Sequence, residues 1–289
     1  MPPSPNARLV RIRGINGQRS RQDGACRPAK PPIIGRDVRP WAVANYEHDR
    51  ADHYGESWAD VYDEEHAYMV PSDAQLGVLA GLAGDGRALE LGIGTGRVAL
   101  PLVERGVIVQ GIEASPSMVL RLRAKAGGEE LPIVIGDMAS LDVSGPFRLV
   151  YVVFNTIFAL LTQDAQVACF RRVADLLEPG GYFCLECFVP DVGRFTDGQS
   201  IRTARIDDDG VRVDASIHDP VAQQITSTVI HIRADGTSVL PVRLRYIWPA
   251  ELDLMAQLAG LLLLDRWSDW NRGAFTARSR GHITVYEKP

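Results

Sequence analysis

From Arg87 to Val189 the chain alternates between short apolar runs and amphipathic stretches: RALELGI, RVALPLVERG, VIVQGIE, PSMVLRLRAKAG, LPIVIGD, FRLVYVVFN, DAQVACFRRVADLLEPGG and YFCLECFV. Strands and helices in such succession imply a mostly parallel sheet with helices on both faces, the α/β class. Local signals agree. Ser115 followed by Pro116 reads as an N-cap and first helical residue, and Thr162 can cap a helix that runs to Leu177, where EPGG ends it.

The rhythm changes on either side of this block. SIRTARI, VRVDASIHD, QITSTVIHIR and SVLPVRLRYIW, separated by Asp209-Gly210, Asp219-Pro220 and Asp235-Gly236, read as an antiparallel meander over 198–248. Pro249 then opens a last helix, and LLLLDRW and HITVYEK supply two final strands over 249–289. Before the block, residues 41–71 read as helical, with Trp58, Val61, Tyr62, Glu65 and Met69 at spacings of three and four and a capping box at Ser57 and Asp60. Ser72 with Gln75 opens the next helix in the same way. One domain over 41–289 is expected, with a helical lid at 41–71, a core at 72–190 and the meander as an insertion.

Residues 1–40 hold nine Lys and Arg, two Asp and seven prolines with little apolar periodicity, so this basic leader reads as disordered. A transit peptide, a nucleic-acid arm and a dispensable extension are all open readings. Poverty in serine, the lack of a secretory apolar stretch and the many prolines favour the last. The rest of the chain carries 22 basic and 34 acidic residues, a formal net charge of −12, poorly suited to a phosphate backbone. No nucleic-acid partner is expected. No apolar run approaches the roughly 18 to 20 residues that span a bilayer, since LVYVVFNTIFALL is broken by Asn155 and Thr156, and no membrane partner is expected either.

Four cysteines without a signal peptide fit a reducing cytoplasm. Cys184 and Cys187 spell C-x-x-C inside an apolar strand, where residues three apart point to opposite faces. They read as core thiols, and no metal site is expected.

Gly92, Gly94 and Gly96 stand on alternate positions between the first apolar run and the following helix. Glycines there leave bare amides beside a helix N-terminus, a setting that welcomes a nucleotide-like ligand. The dinucleotide fingerprint G-x-G-x-x-G fails, because Arg97 stands where its third glycine belongs. Instead Glu90 opens E-x-G-x-G-x-G, and a carboxylate there would oppose a diphosphate but could hold an ammonium, directly or through water.

On these residues the chain resembles the class I S-adenosylmethionine-dependent methyltransferases, whose first motif is an acidic residue followed by GxGxG. The resemblance spans about 41–289 and implies a Rossmann-like, seven-stranded, mostly parallel sheet with 72–190 as the cofactor-binding core. It implies S-adenosylmethionine as cofactor, with Glu113, 21 residues after Gly92, accepting the ribose hydroxyls. Asp137, with the Met138 amide beside it, would hold the adenine amino group, and Asn155 in FNTI would line the donor and the substrate. Members that methylate nucleic-acid bases or glutamine carry N/D-P-P-Y where this chain has FNTI, which argues against such acceptors.

The expected activity is therefore methyl transfer to a small molecule, nitrogen slightly ahead of oxygen. In-line displacement at a sulfonium needs alignment above all, and a base only if the acceptor holds its proton. WADVYDEEH resembles the lid of small-molecule members, which makes Tyr62 a candidate near the methyl group, with His66 one turn later as a candidate base. Glu186, at the end of the fifth strand, is a candidate acceptor contact. Arg243 and Arg245 share one strand face as a carboxylate clamp or, more simply, a solvated face. The meander is similar in layout to the insertion of N-methyltransferases acting on amino sugars and glycine, where it walls the acceptor pocket and supports oligomers, so a homodimer fits. A nicotinamide-dependent oxidoreductase, a protein or RNA methyltransferase and a non-catalytic cofactor-binding scaffold are the rival readings.

Overall fold

The strand β1 (Arg87–Leu91) is buried from Ala88 onward, as an apolar run must be when it has parallel neighbours on both sides and helices on both faces. Those neighbours are β2 (Ile108–Glu113) and β4 (Phe147–Val152), both parallel to it. The computed structural model describes residues 50–140, 142–208 and 210–289. The basic leader at 1–40, the expected start of the lid at 41–49 and Asp209 of one expected turn lie outside these residues.

With β3 (Ile133–Ile135), β5 (Leu177–Phe188), β10 (Leu262–Trp267) and β11 (Gly281–Glu287), the sheet has seven strands in the order β10-β11-β5-β4-β1-β2-β3. Only β11 runs against its neighbours. The direction of winding reverses between β1 and β4, and the crevice beyond their carboxyl ends is where open sheets of this kind bind ligands. This is the Rossmann-like arrangement expected from the sequence.

Helices α3 (Asp73–Ala83) and α4 (Ala99–Glu104) pack on one face with Leu79, Leu102, Tyr151, Cys184 and Val285. Helices α6 (Gln163–Leu176) and α7 (Pro249–Leu258) pack on the other with Phe170, Phe183, Cys187, Met255 and Tyr286. Each fully buried side chain of this size contributes on the order of 1.5 to 3 kcal/mol. Cys184 and Cys187 fall on opposite faces as expected, and burial pushes both thiols well above their ordinary range. Ser72, Ser115 and Thr162 each accept a bond from the amide three residues on, so three expected N-caps are present.

The lid departs from the spacing in where its second half begins. Its described part is two short helices, α1 (His53–Trp58) and α2 (Tyr62–Glu65). Ser57 lies inside α1 and makes no capping box with Asp60, whose carboxylate pairs with Arg121 instead. Tertiary partners override local periodicity: Glu56 accepts bonds from the Ser115 and Ser117 hydroxyls and the Ser117 amide at the start of α5 (Pro116–Arg123). Gly55 makes this docking possible, because a β-carbon there would come within 2.3 Å of the Ser115 β-carbon.

The meander forms a separate four-stranded antiparallel sheet, β6 (Gln199–Asp207), β7 (Gly210–Asp219), β8 (Gln224–Arg233) and β9 (Gly236–Arg245), in sequential order. Trp58 of the lid packs on Val229 and Val242 and donates its indole N–H to the Pro241 carbonyl at 3.1 Å. Arg245 is not on a solvated face. It is 5% exposed and reaches across to Glu251 at 2.8 Å, to Gln223 at 3.1 Å and to Gln166, tying the meander to α6 and α7. Among the described residues no helix is long and apolar enough to cross a membrane, and no cluster of three or more His, Cys, Asp or Glu could hold a metal ion.

His282 on β11 is 1% exposed, lies 2.7 Å from the Thr284 hydroxyl through Nδ1, and has a buried Nε2 without a partner. Burial, with Arg266 nearby, pulls its pKa from 6.5 down to about 4. Folding favours the neutral ring, so its contribution is complete above pH 6.5 and is lost as pH falls toward 4, by roughly 3 kcal/mol in all. Chemical denaturation at pH 7.5 and 4.5 should show a smaller loss for His282→Asn than for the native chain; equal losses would show that this ring does not govern the acid limb.

Candidate active site

At the carboxyl edge of the sheet a cavity of about 300 Å³ opens between the glycine loop, the lid and the meander. Its floor is made where β1 turns into α4. Gly92, Gly94 and Gly96 all have positive φ, at 65°, 56° and 80°, which a side chain would strain. They do different work. A β-carbon on Gly92 would stand 2.4 Å from Cγ2 of Thr156, so this glycine lets the loop meet the turn after β4. Gly94 has nothing within 4 Å of that position and leaves open space on the cavity side. Gly96 faces Leu100 and Leu122, so it serves helix packing and is not on the wall.

Glu113 and Asp137, at the ends of β2 and β3, both line the cavity, with Met138 next to them. The Glu113 carboxylate accepts the Gly94 amide at 2.8 Å and the Ser115 amide at 2.9 Å, one on each oxygen. Burial raises its pKa, and these amides offset only part of that rise. Asp137 forms an Asx turn, accepting the Ala139 amide on Oδ1 at 2.8 Å.

Glu90 stands elsewhere. It is 3% exposed beneath the loop, off the cavity wall, and accepts the Tyr151 hydroxyl at 2.9 Å. Burial pushes its carboxyl up to about 8, so it is largely protonated at neutral pH. A neutral carboxyl away from the wall does not suit the ammonium-holding role expected from the motif; it supports the loop from below.

Beyond β4 the chain makes a turn in which Phe154 and Asn155 both have positive φ, at 54° and 64°. Consecutive left-handed residues other than glycine persist only when their surroundings fix them. Here the Phe154 amide donates to Glu186 Oε2 at 3.0 Å, the Asn155 amide to the Glu186 carbonyl at 3.0 Å, and the Phe188 amide to Asn155 Oδ1 at 2.6 Å. Glu186 Oε1 meanwhile accepts the Trp270 indole N–H at 3.0 Å. Glu186 therefore holds the turn and does not line the cavity, which corrects its expected contact with an acceptor; Phe154 and Asn155 do line it.

The roof comes from the lid. Tyr62 and His66, one turn apart, both face the cavity with ring centroids 4.4 Å apart, and Tyr54 and Trp58 extend the aromatic surface. His66 Nδ1 lies 2.9 Å from the Tyr62 carbonyl. A carbonyl only accepts, so the proton is on Nδ1 and the lone pair on Nε2. Burial lowers the pKa of His66, which keeps the ring neutral at pH 7. The helix itself is fixed on both flanks. Asp63 accepts the Thr95 hydroxyl at 2.6 Å and pairs with Lys125 at 2.8 Å, while buried Glu65 meets Arg233 at 3.2 Å, His231 at 3.3 Å and Arg212 at 3.6 Å on the meander.

The meander supplies the remaining wall with Val229, Val242, Leu244 and the guanidinium-bearing Arg212 and Arg243. The sequence pattern did not single out Arg212 or Phe154, whose places on the wall come from contacts far along the chain.

Comparison with known proteins agrees with this geometry. A methyltransferase-domain family model matches residues 88–181. The chain is 28% identical over 241 residues to a cypemycin N-terminal methyltransferase from a Streptomyces species, covering 81% of this chain and 97% of that one. Among solved structures, the CcbJ methyltransferase of Streptomyces caelestis is 42% identical with a TM-score of 0.77, covering 82% of this chain and 98% of that one. The amino pentose methyltransferase CalS10 of Micromonospora echinaspora, solved with its methyl donor bound, is 22% identical with a TM-score of 0.61, over 79% and 97% of the two chains, and shares the fold.

The contact between the loop and the β4 turn can be tested by size alone. Gly92→Ala should lower stability by about 1 to 3 kcal/mol, through its φ and through collision with Thr156. Adding Thr156→Ser, which removes Cγ2 and keeps the hydroxyl bonded to the Val153 carbonyl at 2.8 Å, should recover part of that loss in thermal melts. Strictly additive effects would mean that the two positions do not touch.

Proposed function

The chain belongs to the class I S-adenosylmethionine-dependent methyltransferases, and we propose that it methylates the nitrogen of a small amine, free or at the end of a short flexible chain. The cavity carries this reading. At about 300 Å³ it stands at the lower end of ligand sites, and its aromatic and apolar walls suit a small organic group. The acidic body after residue 40 points the same way, against nucleic acid. The name of the cypemycin N-terminal methyltransferase places that relative's methyl on a chain terminus, which supports nitrogen over oxygen here.

The residues present fit the cofactor. Glu113 would hold the ribose, Asp137 and the Met138 amide the adenine, and Gly92 and Gly94 would let the donor lie against bare backbone, since a side chain at either would strain the loop. Asn155 would line the methionine end with its amide nitrogen, its oxygen being held by Phe188. When bound, the donor supplies an electrophilic methyl on a sulfonium, displaced in line by the acceptor's lone pair.

The chain's own work is placement and proton handling. Tyr54, Trp58 and Tyr62 line the cavity with aromatic rings, to whose faces cationic groups are drawn. Alignment of this kind is worth up to about 7 to 11 kcal/mol. His66 Nε2 is placed to take the proton that the amine must shed, and its lowered pKa keeps it unprotonated and ready at neutral pH. Glu186 acts through Phe154 and Asn155 and touches neither ligand.

Two outcomes test the proposal. Glu113→Ala should weaken S-adenosylhomocysteine binding at least tenfold by calorimetry with the fold intact by circular dichroism; unchanged affinity would remove the ribose assignment. Incubating the enzyme with isotopically labelled donor and a metabolite extract, followed by mass spectrometry, should place the label on a small molecule's nitrogen. Label on oxygen or carbon, or only on macromolecules, would overturn the acceptor class.

A further inference from the structure

Among the described residues, Arg212 is the one that β7 contributes to the cavity wall, and its side chain is 20% exposed. Its terminal nitrogen nearest Glu65 stands 3.6 Å from Oε2, beyond hydrogen-bond reach, and that oxygen is buried without a hydrogen-bond partner. Glu65 is served from elsewhere: Arg233 donates to its Oε1 at 3.2 Å, with His231 Nδ1 at 3.3 Å. The other anchor of Arg212 is a bond from Nε to Asp214 Oδ1, long at 3.4 Å. A guanidinium whose terminal N–H groups make no hydrogen bond among the described residues therefore borders the cavity.

That charge is ill suited to a bare amine. An amine arrives from water as an ammonium, and the methyl donor carries a sulfonium, so a guanidinium on the wall repels both. Its field reaches the roof. Burial is the main reason that the His66 pKa falls, and the charges of Arg97 and Arg212 add to it. Tyr54, raised chiefly by burial, feels the Arg212 charge as an opposing pull. A cation beside the candidate base becomes an asset once the acceptor brings an anion to meet it.

We propose that Arg212 holds a carboxylate of the acceptor, so that the substrate class is an amine bearing a carboxylate, such as an amino acid or an acid-tailed amine. The inference rests on the proposed nitrogen acceptor and narrows it. With its amine at His66 and its carboxylate at β7, the acceptor is held at two points, one on the lid and one on the meander. The fork of a guanidinium matches the two oxygens of a carboxylate in one plane. A phosphate dianion suits the place less well, because Glu65 and Asp214 already stand beside Arg212 and oppose a second negative charge.

The test incubates the full chain with isotopically labelled S-adenosylmethionine and a metabolite extract. The labelled product is checked for a free carboxylate by the mass shift on carbodiimide amidation, and the acceptor so found is compared with its methyl ester. The native protein should label a carboxylate-bearing amine and prefer the free acid to the ester at least tenfold in kcat/KM. Arg212→Gln should bring that ratio below twofold, through loss on the free acid, while S-adenosylhomocysteine affinity by calorimetry stays within twofold. Arg212→Lys, which keeps the charge, should retain most of the preference and serves if the glutamine variant does not fold. Arg233→Gln removes another partner of Glu65 but lies off the cavity wall, and it should leave the ratio at tenfold or more. A labelled amine without a carboxylate overturns the proposal, as do equal rates on acid and ester in the native protein. So does an equal loss on both in Arg212→Gln, which would make Arg212 a brace for the lid through Glu65, or a matching loss of S-adenosylhomocysteine affinity, which would place its charge on the donor. Label that is absent, or found only on oxygen, carbon or macromolecules, defeats the nitrogen-acceptor reading itself and this inference with it.

Discussion

Two carboxylates on one short helix decide where the cavity has its roof. Asp63 is drawn to the glycine loop by Thr95 and Lys125, and Glu65 to the meander by Arg212, His231 and Arg233. Residues 62 and 66, one turn apart, are thereby turned inward. A helix of four residues has no stability of its own, so its place is set by these partners. Glu65 is 6% exposed, and a charge so buried is tolerated only because three basic groups surround it. Position and orientation of the aromatic roof thus follow from polar contacts, while the sheet below follows from apolar packing.

That division explains what could be read from the sequence. The alternation of strands and helices, the meander and the caps at Ser72, Ser115 and Thr162 depend on neighbours within a few residues, and they were legible. So were the glycine bend and the acidic strand ends at Glu113 and Asp137, because parallel strands in a doubly wound sheet bring successive strand tips to one edge. The start of α2 at Tyr62 was not legible, since Glu56 and Asp63 answer to groups about 30 to 60 residues away. Glu186 was misread for a related reason: a strand end marks the rim of the site but not whether a side chain there faces ligand or a neighbouring turn. Arg243 and Arg245 share a strand face by spacing, yet one lines the cavity and the other is buried against α6 and α7.

The two faces of the turn after β4 show how strain is held. Phe154 and Asn155 are kept in the left-handed region by donating their amides to the carboxylate and the carbonyl of Glu186 and by the bond that Asn155 accepts from the Phe188 amide. Thr156 then fills the space that Gly92 leaves. Loop and turn are complementary in shape, so neither can be altered without the other, and the rigidity suits a reaction governed by alignment.

The meander has a different relation to the rest. It enters between β5 and α7, contributes Val229, Val242 and Leu244 to one side of the cavity, and supplies none of the strand-tip residues that line it. Under the proposed function, sequence drift in those four strands would reshape what is methylated while the strand tips that would grip the donor stay as they are. The anchors at Glu65 and Arg245 limit that freedom, because any new meander must still present basic groups to the lid and a guanidinium to the last helix.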